Sequence, residues 1–206
     1  MRLLLLERWL RPRTLARDLH LAVSRGNYVQ VREVARAMLD RDDDDEEAHF
    51  WACEASLSIG DYESALQHSR WLVDHGSKPE HGYRLMAHTC YRLGHMSDAI
   101  HAAESAVKIR PGWFRIRMLL GAYLFESGDA LGAVREFRTC VESREPEPVG
   151  VTELTFSGAY ARFKLGRALA GIGDLEGARR ELQKVAECTG QEKLRNMAMR
   201  ELQRIG

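Results

Sequence analysis

The chain has 206 residues, 45% of them apolar and 29% charged, a composition that excludes general disorder. Thirty basic residues balance thirty acidic ones, so no global field draws the protein to nucleic acid or to an anionic membrane. Only five prolines occur, and abundant Ala, Leu, Arg and Glu favour helix almost throughout.

The N-terminal segment, residues 1–11, holds a run of four leucines, Leu3 to Leu6, closed by Glu7. That run is too short for a secretory core or a membrane span, and a cytoplasmic location is expected. Residues 1 to 36 carry eight arginines against three acids. With Trp9 and Leu10, the leading segment predicts an amphipathic helix that either caps the helices after it or docks on another chain, including a second copy. Its short apolar length argues against membrane contact.

From here a turn recurs: Gly26-Asn27-Tyr28, Gly60-Asp61-Tyr62, Gly94-His95-Met96, Gly128-Asp129-Ala130 and Gly173-Asp174-Leu175. The first four glycines are spaced by 34 residues each and the fifth follows 45 later, one period plus an insertion of eleven. Five residues after each glycine stand Val31, Ala65, Ala99, Ala133 and Ala178; twelve after it stand Met38, Leu72, Ala106, Cys140 and Val185. Those positions share one face of the helix after the turn. Seven before it stand Leu19, Cys53, Ala87, Gly121 and Gly166, mostly small, where two helices can approach closely. The glycine ends the first helix in a left-handed conformation, and Asp or Asn after it caps the second.

These residues resemble the tetratricopeptide repeat (TPR) family. The likeness covers residues from about 13 to 190 and is best from Leu119 to Phe137 and from Lys164 to Leu182. The family's early aromatic, eleven before the glycine, occurs only as Tyr83, and its closing proline only as Pro111. The resemblance implies an all-α fold: a right-handed solenoid of five helix-turn-helix repeats with N-terminal and C-terminal capping helices. The expected organisation is a capping or interaction helix at 1–11, the solenoid at 12–192 and a capping helix at 193–206. An insertion falls at about 148–158 within the solenoid. About eleven helices are expected.

In this family the first helix of each repeat lines a concave face. The register places Glu47, Phe50, Glu54 and Leu57 there from the second repeat, and His81, Arg84, His88 and Tyr91 from the third. The fourth contributes Arg115, Met118, Ala122 and Phe125, and the fifth Tyr160, Phe163, Arg167 and Ala170. Arginine forks beside rigid aromatic area suit peptide recognition, so Arg84, His88, Tyr91, Arg115, Phe125, Tyr160, Phe163 and Arg167 are the candidate contact residues. The same residues can instead serve repeat packing. The Lys and Asn pattern by which one subtype of the family clamps chaperone C-termini is missing.

No catalytic residue or cofactor is implied, since phosphate loop, nucleophile motif and carboxylate pair are all wanting. His81 and His88 share a helix face but lie about 10 Å apart along it, too far to ligate one metal ion unaided. The four cysteines, Cys53, Cys90, Cys140 and Cys188, form no C-x-x-C pair, and three fall on small packing positions. The acidic run from Asp40 to Glu47 sits at a repeat junction, where it favours a helix N-terminus. Together these features predict a scaffold or adaptor that binds a protein or peptide segment, with acidic groups as the complement of its arginines. The alternative is a dedicated assembly factor or chaperone for a secreted or membrane-complex subunit.

Overall fold

A computed structural model describes residues 12–143, 158–188 and 191–206. The expected N-terminal helix at 1–11 and the insertion up to residue 157 lie outside the described residues. Among the described residues there are eleven helices and no strand. They form two compact units that divide at Ala102 and Ala103, inside α6 (Met96–Ile109).

Unit 1 contains α1 (Pro12–Ser24), α2 (Tyr28–Leu39), α3 (Glu46–Ile59), α4 (Tyr62–His75) and α5 (Pro79–Arg92). Each packs on the next, and α5 also touches α3. Leu19, Ala22, Val31 and Ala55 make one core layer, with Val34, Met38 and Trp51 against it. Cys53, Leu57, Ala65, Leu72 and Leu85 make the next, with Phe50 and Trp71 packed on its side.

Unit 2 contains α7 (Phe114–Glu126), α8 (Ala130–Glu142), α9 (Gly158–Gly171), α10 (Leu175–Cys188) and α11 (Glu192–Arg204). Neighbours in sequence pack together, and α9 also touches α7 and α11. Met118, Ala133, Phe137, Cys140, Leu165 and Leu169 belong to its larger core. Phe163, Leu182, Val185, Leu194 and Ala198 form a second layer, so α11 covers an apolar face of α9 and α10.

The turn glycines do what the spacing requires. Gly26, Gly60, Gly94, Gly128 and Gly173 have φ between 65° and 95°, a left-handed conformation that costs glycine little. The following amide then reaches back five residues to close the helix end, as in Asp61 N to Ser56 O at 2.9 Å and Asp174 N to Leu169 O at 3.0 Å. The side chains of Asn27, Asp61, Asp129 and Asp174 accept amide hydrogen bonds from the first turn of the next helix. Each such cap contributes about 1 kcal/mol.

The position eleven before the glycine is filled in a way the family pattern does not indicate. His49, Arg117 and Arg162 stand there, and each reaches the residue nineteen further on, in the second helix of its own repeat. His49 Nδ1 lies 3.0 Å from His68 Nδ1, Arg117 Nη1 donates to Glu136 Oε2 at 2.6 Å, and Arg162 Nη1 to Glu181 Oε2 at 2.8 Å. Polar pairs replace an aromatic wedge. The imidazole of His49 still keeps an aromatic contact, stacked on Trp71 at 3.8 Å between ring centres.

Candidate functional site

In unit 1 the inward register positions lie on α3 and α5. Glu47 is exposed and Phe50 half-buried at the start of α3; His81 on α5 meets Phe50 edge-on at 6.4 Å. Glu46, Glu47, Phe50, Leu72, Lys78 and His81 line a recess of about 360 Å³. Its floor is apolar and its rim carries both signs of charge. The acidic run before it is divided between tasks: Asp45 caps α3, whereas Glu46 accepts from the Ser77 amide at 3.0 Å and from its hydroxyl at 3.1 Å. The Ser77 amide is the main reason the Glu46 carboxyl titrates below its usual range.

Further along, Arg84 does not stand open. It is buried, and its Nη2 donates to Glu54 Oε1 at 2.6 Å across the two inner helices. His88, one turn on, is half-buried. Burial pushes its pKa down and Arg84 and Arg92 assist, against an opposing pull from Glu54. Tyr91 closes the α5 series, also half-buried.

In unit 2 the structure gathers four candidates into one cluster. The Arg167 guanidinium lies 5.5 Å from the Phe125 ring centre and 6.0 Å from that of Phe163. Tyr160 stacks beside Phe163 at 6.0 Å, with Lys164 Nζ over its ring at 5.4 Å. Arg167 Nε also faces Glu201 Oε1 at 3.5 Å, from α11. Phe163 is only 2% exposed, so its ring belongs to the core layer under α11 rather than to an open wall. Arg115 is half-buried on α7.

Two features escaped the sequence reading. The first is that inner-wall arginines meet carboxylates of a neighbouring inner helix: Arg84 with Glu54 across 30 residues, Arg167 with Glu201 across 34. The second is the pair His49 and His68. His49 Nε2 donates to the Asp43 carbonyl at 2.9 Å, which leaves its Nδ1 as the acceptor for His68 Nδ1–H. The recurrent spacing of nineteen was the only available signal.

The pair makes stability depend on pH. Burial, then the neighbouring His49, lowers the His68 pKa from the ordinary 6.5, and burial lowers that of His88. The folded state therefore holds fewer protons than the unfolded chain just below that value, and stability rises with pH there. The contribution is complete above pH 6.5 and is lost as pH falls from 6.5 through the lowered values. Thermal midpoints are expected to be level between about pH 8 and 7 and to fall below about 6.5, with a shallower fall in His68→Gln. A fall of equal slope in that variant would assign the effect elsewhere.

Chemistry at the thiols is suppressed. Cys53, Cys90 and Cys140 are buried, and burial raises all three pKa values, that of Cys140 to about 12. They persist as neutral thiols. Among the described residues no group of three or more His, Cys, Asp or Glu side chains is placed to hold a metal ion. Among them, too, no helix is long and apolar enough to cross a membrane.

With this geometry in place, the class of fold follows from solved structures. MamA from Desulfovibrio magneticus RS-1 is 15% identical, covers 93% of this chain and 94% of its own, and superposes with a TM-score of 0.70. TTC0263, a TPR protein of Thermus thermophilus, is 18% identical over 92% of this chain and 99% of its own, with a TM-score of 0.67. YrrB, described as a TPR protein with an unusual peptide-binding site, is 17% identical over 88% of each chain at a TM-score of 0.67. No protein-family model and no curated protein sequence matches the chain. The chain has the all-helical tetratricopeptide-repeat fold.

Proposed function

We propose that this protein is a non-enzymatic interaction scaffold or adaptor that holds a peptide segment of another protein along the inner faces of its first helices. The observation that carries the reading is the recess over Phe50 and Leu72, which is large enough for a bulky apolar side chain and is rimmed by Glu47, Lys78 and His81. YrrB, with the same fold, supports peptide binding as the general activity. The contact set remains Arg84, His88, Tyr91, Arg115, Phe125, Tyr160, Phe163 and Arg167, with the roles unequal. Tyr91, Phe125 and Tyr160 supply partly open aromatic area, and Arg115 a partly open charge. Arg84 and Phe163 act from beneath by holding the wall in place.

Affinity purification from the native source followed by titration of the captured partner tests this. Tyr91→Ala and Phe125→Ala are each expected to weaken binding about tenfold, more than Arg115→Ala, because exposed ion pairs contribute only about 0–1 kcal/mol. Moderate weakening by salt is expected as well. Wild-type affinity in all inner-face variants, with loss on changing Leu3 to Leu10, would move the recognition surface to the N-terminal segment.

A further inference from the structure

The inner wall pairs Arg84 and Arg167 with its own carboxylates, whereas on the opposite side of unit 2 two arginines lack such partners. A groove of about 390 Å³ runs between the second helices α8 and α10, across the flank of α9. Its floor is Leu165 and Leu169, both nearly closed over, and half-buried Val141. Such a floor offers shape more than apolar area, so charge must decide what fits.

Most of the lining charges are already engaged. Glu181 takes Arg162 at 2.8 Å and Lys184 at 2.6 Å, and this pairing holds its carboxyl low although burial pushes it up. Asp174 is occupied as the cap of α10, accepting from Gly177 N at 2.9 Å. Arg138 from one wall and Arg180 from the other are exposed and have no hydrogen bond or ion pair among the described residues. Of the three carboxylates that line the groove, Glu142, Asp174 and Glu181, the last two are engaged as described.

The arrangement recurs in unit 1. There a groove of about 560 Å³ lies between α2 and α4, with Arg36 at the same register as Arg138, ten residues after the turn glycine. Arg36 is likewise exposed, while its neighbour Arg32 is shared with Asp61 at 3.5 Å. A groove of the same register with an exposed arginine in each unit indicates a built surface.

We propose that the α8–α10 groove docks an extended acidic segment of a partner protein, with Arg138 and Arg180 each receiving a carboxylate in the fork geometry that guanidinium favours. This site is independent of the inner-face reading. The test is fluorescence anisotropy with a labelled peptide of alternating glutamate and leucine at about 50 mM salt, where such contacts are weakly screened. The comparators are a lysine–leucine peptide and single-stranded DNA. Wild type is expected to bind the acidic peptide saturably and to lose affinity as salt is raised. The double variant Arg138→Glu/Arg180→Glu is expected to weaken binding about tenfold or more. Arg200→Glu, an exposed charge on α11 away from this groove, should stay within about twofold. Should the reversal disturb folding by circular dichroism, Arg138→Gln and Arg180→Gln read the same loss at about threefold each. No saturable binding by wild type, equal binding of either comparator, or wild-type affinity in folded Arg138 and Arg180 variants overturns the proposal.

Discussion

Glu54→Ala is expected to destabilise the protein by about 2–3 kcal/mol, far more than an ordinary surface change. The reason lies in what it leaves behind. Arg84 retains only 10% of its side-chain exposure, and Glu54 Oε1 at 2.6 Å is the carboxylate that compensates its charge. A fully enclosed pair broken from one side costs about 3–5 kcal/mol, and the expectation here is lower because Glu54 keeps 29% exposure and water can partly replace it. The double replacement Arg84→Met/Glu54→Met removes both charges and should lie within about 1 kcal/mol of wild type. Urea unfolding of wild type, Glu54→Ala and the double variant measures both differences. A loss under about 0.5 kcal/mol in Glu54→Ala would mean that Arg84 is effectively solvated and its charge is open to a ligand.

Gly166→Leu should destabilise by about 1–3 kcal/mol through overpacking, and Gly121→Leu by a similar amount. A Cβ built on Gly166 would lie 2.7 Å from Leu182 Cγ, and one on Gly121 would lie 2.7 Å from Phe137 Cε1. Both partners are fully enclosed side chains of the helix after the turn, so neither can rotate away into solvent. Ala133→Leu should behave likewise, since Ala133 is completely buried in the same core. Gly128→Leu acts differently: nothing lies near its Cβ, and the cost there comes from the left-handed backbone at φ 95°. Comparable melting temperatures for wild type and the Gly121 and Gly166 variants would show that the close approach of first and second helices is not required.

The repeat register was legible because its signals are local. A glycine that accepts a left-handed turn, an Asp or Asn that caps the next helix, and small residues seven before and five after it are all set within about twenty residues of chain. Val31, Ala65, Ala99, Ala133 and Ala178 are completely buried where that register puts them. The helix expected at 193–206 was readable from the apolar spacing of Leu194, Met197, Ala198 and Leu202, and a helix runs from Glu192 to Arg204.

The character of the candidate surface was another matter, because it depends on partners that the chain brings from other helices. Arg84 and Arg167 read as free charges along their own helices. Glu54 and Glu201, 30 and 34 residues away, pair with them across helices, and Arg84 is buried by the pairing. Phe163 occupies an inward register position like Phe125, yet only the packing of α11 decided that it lies in the core. Helical periodicity determines which residues share a face, since that is a property of one helix. Whether a charge on that face meets water, a carboxylate or a ring is determined by the neighbouring helices, and only the tertiary structure could decide it.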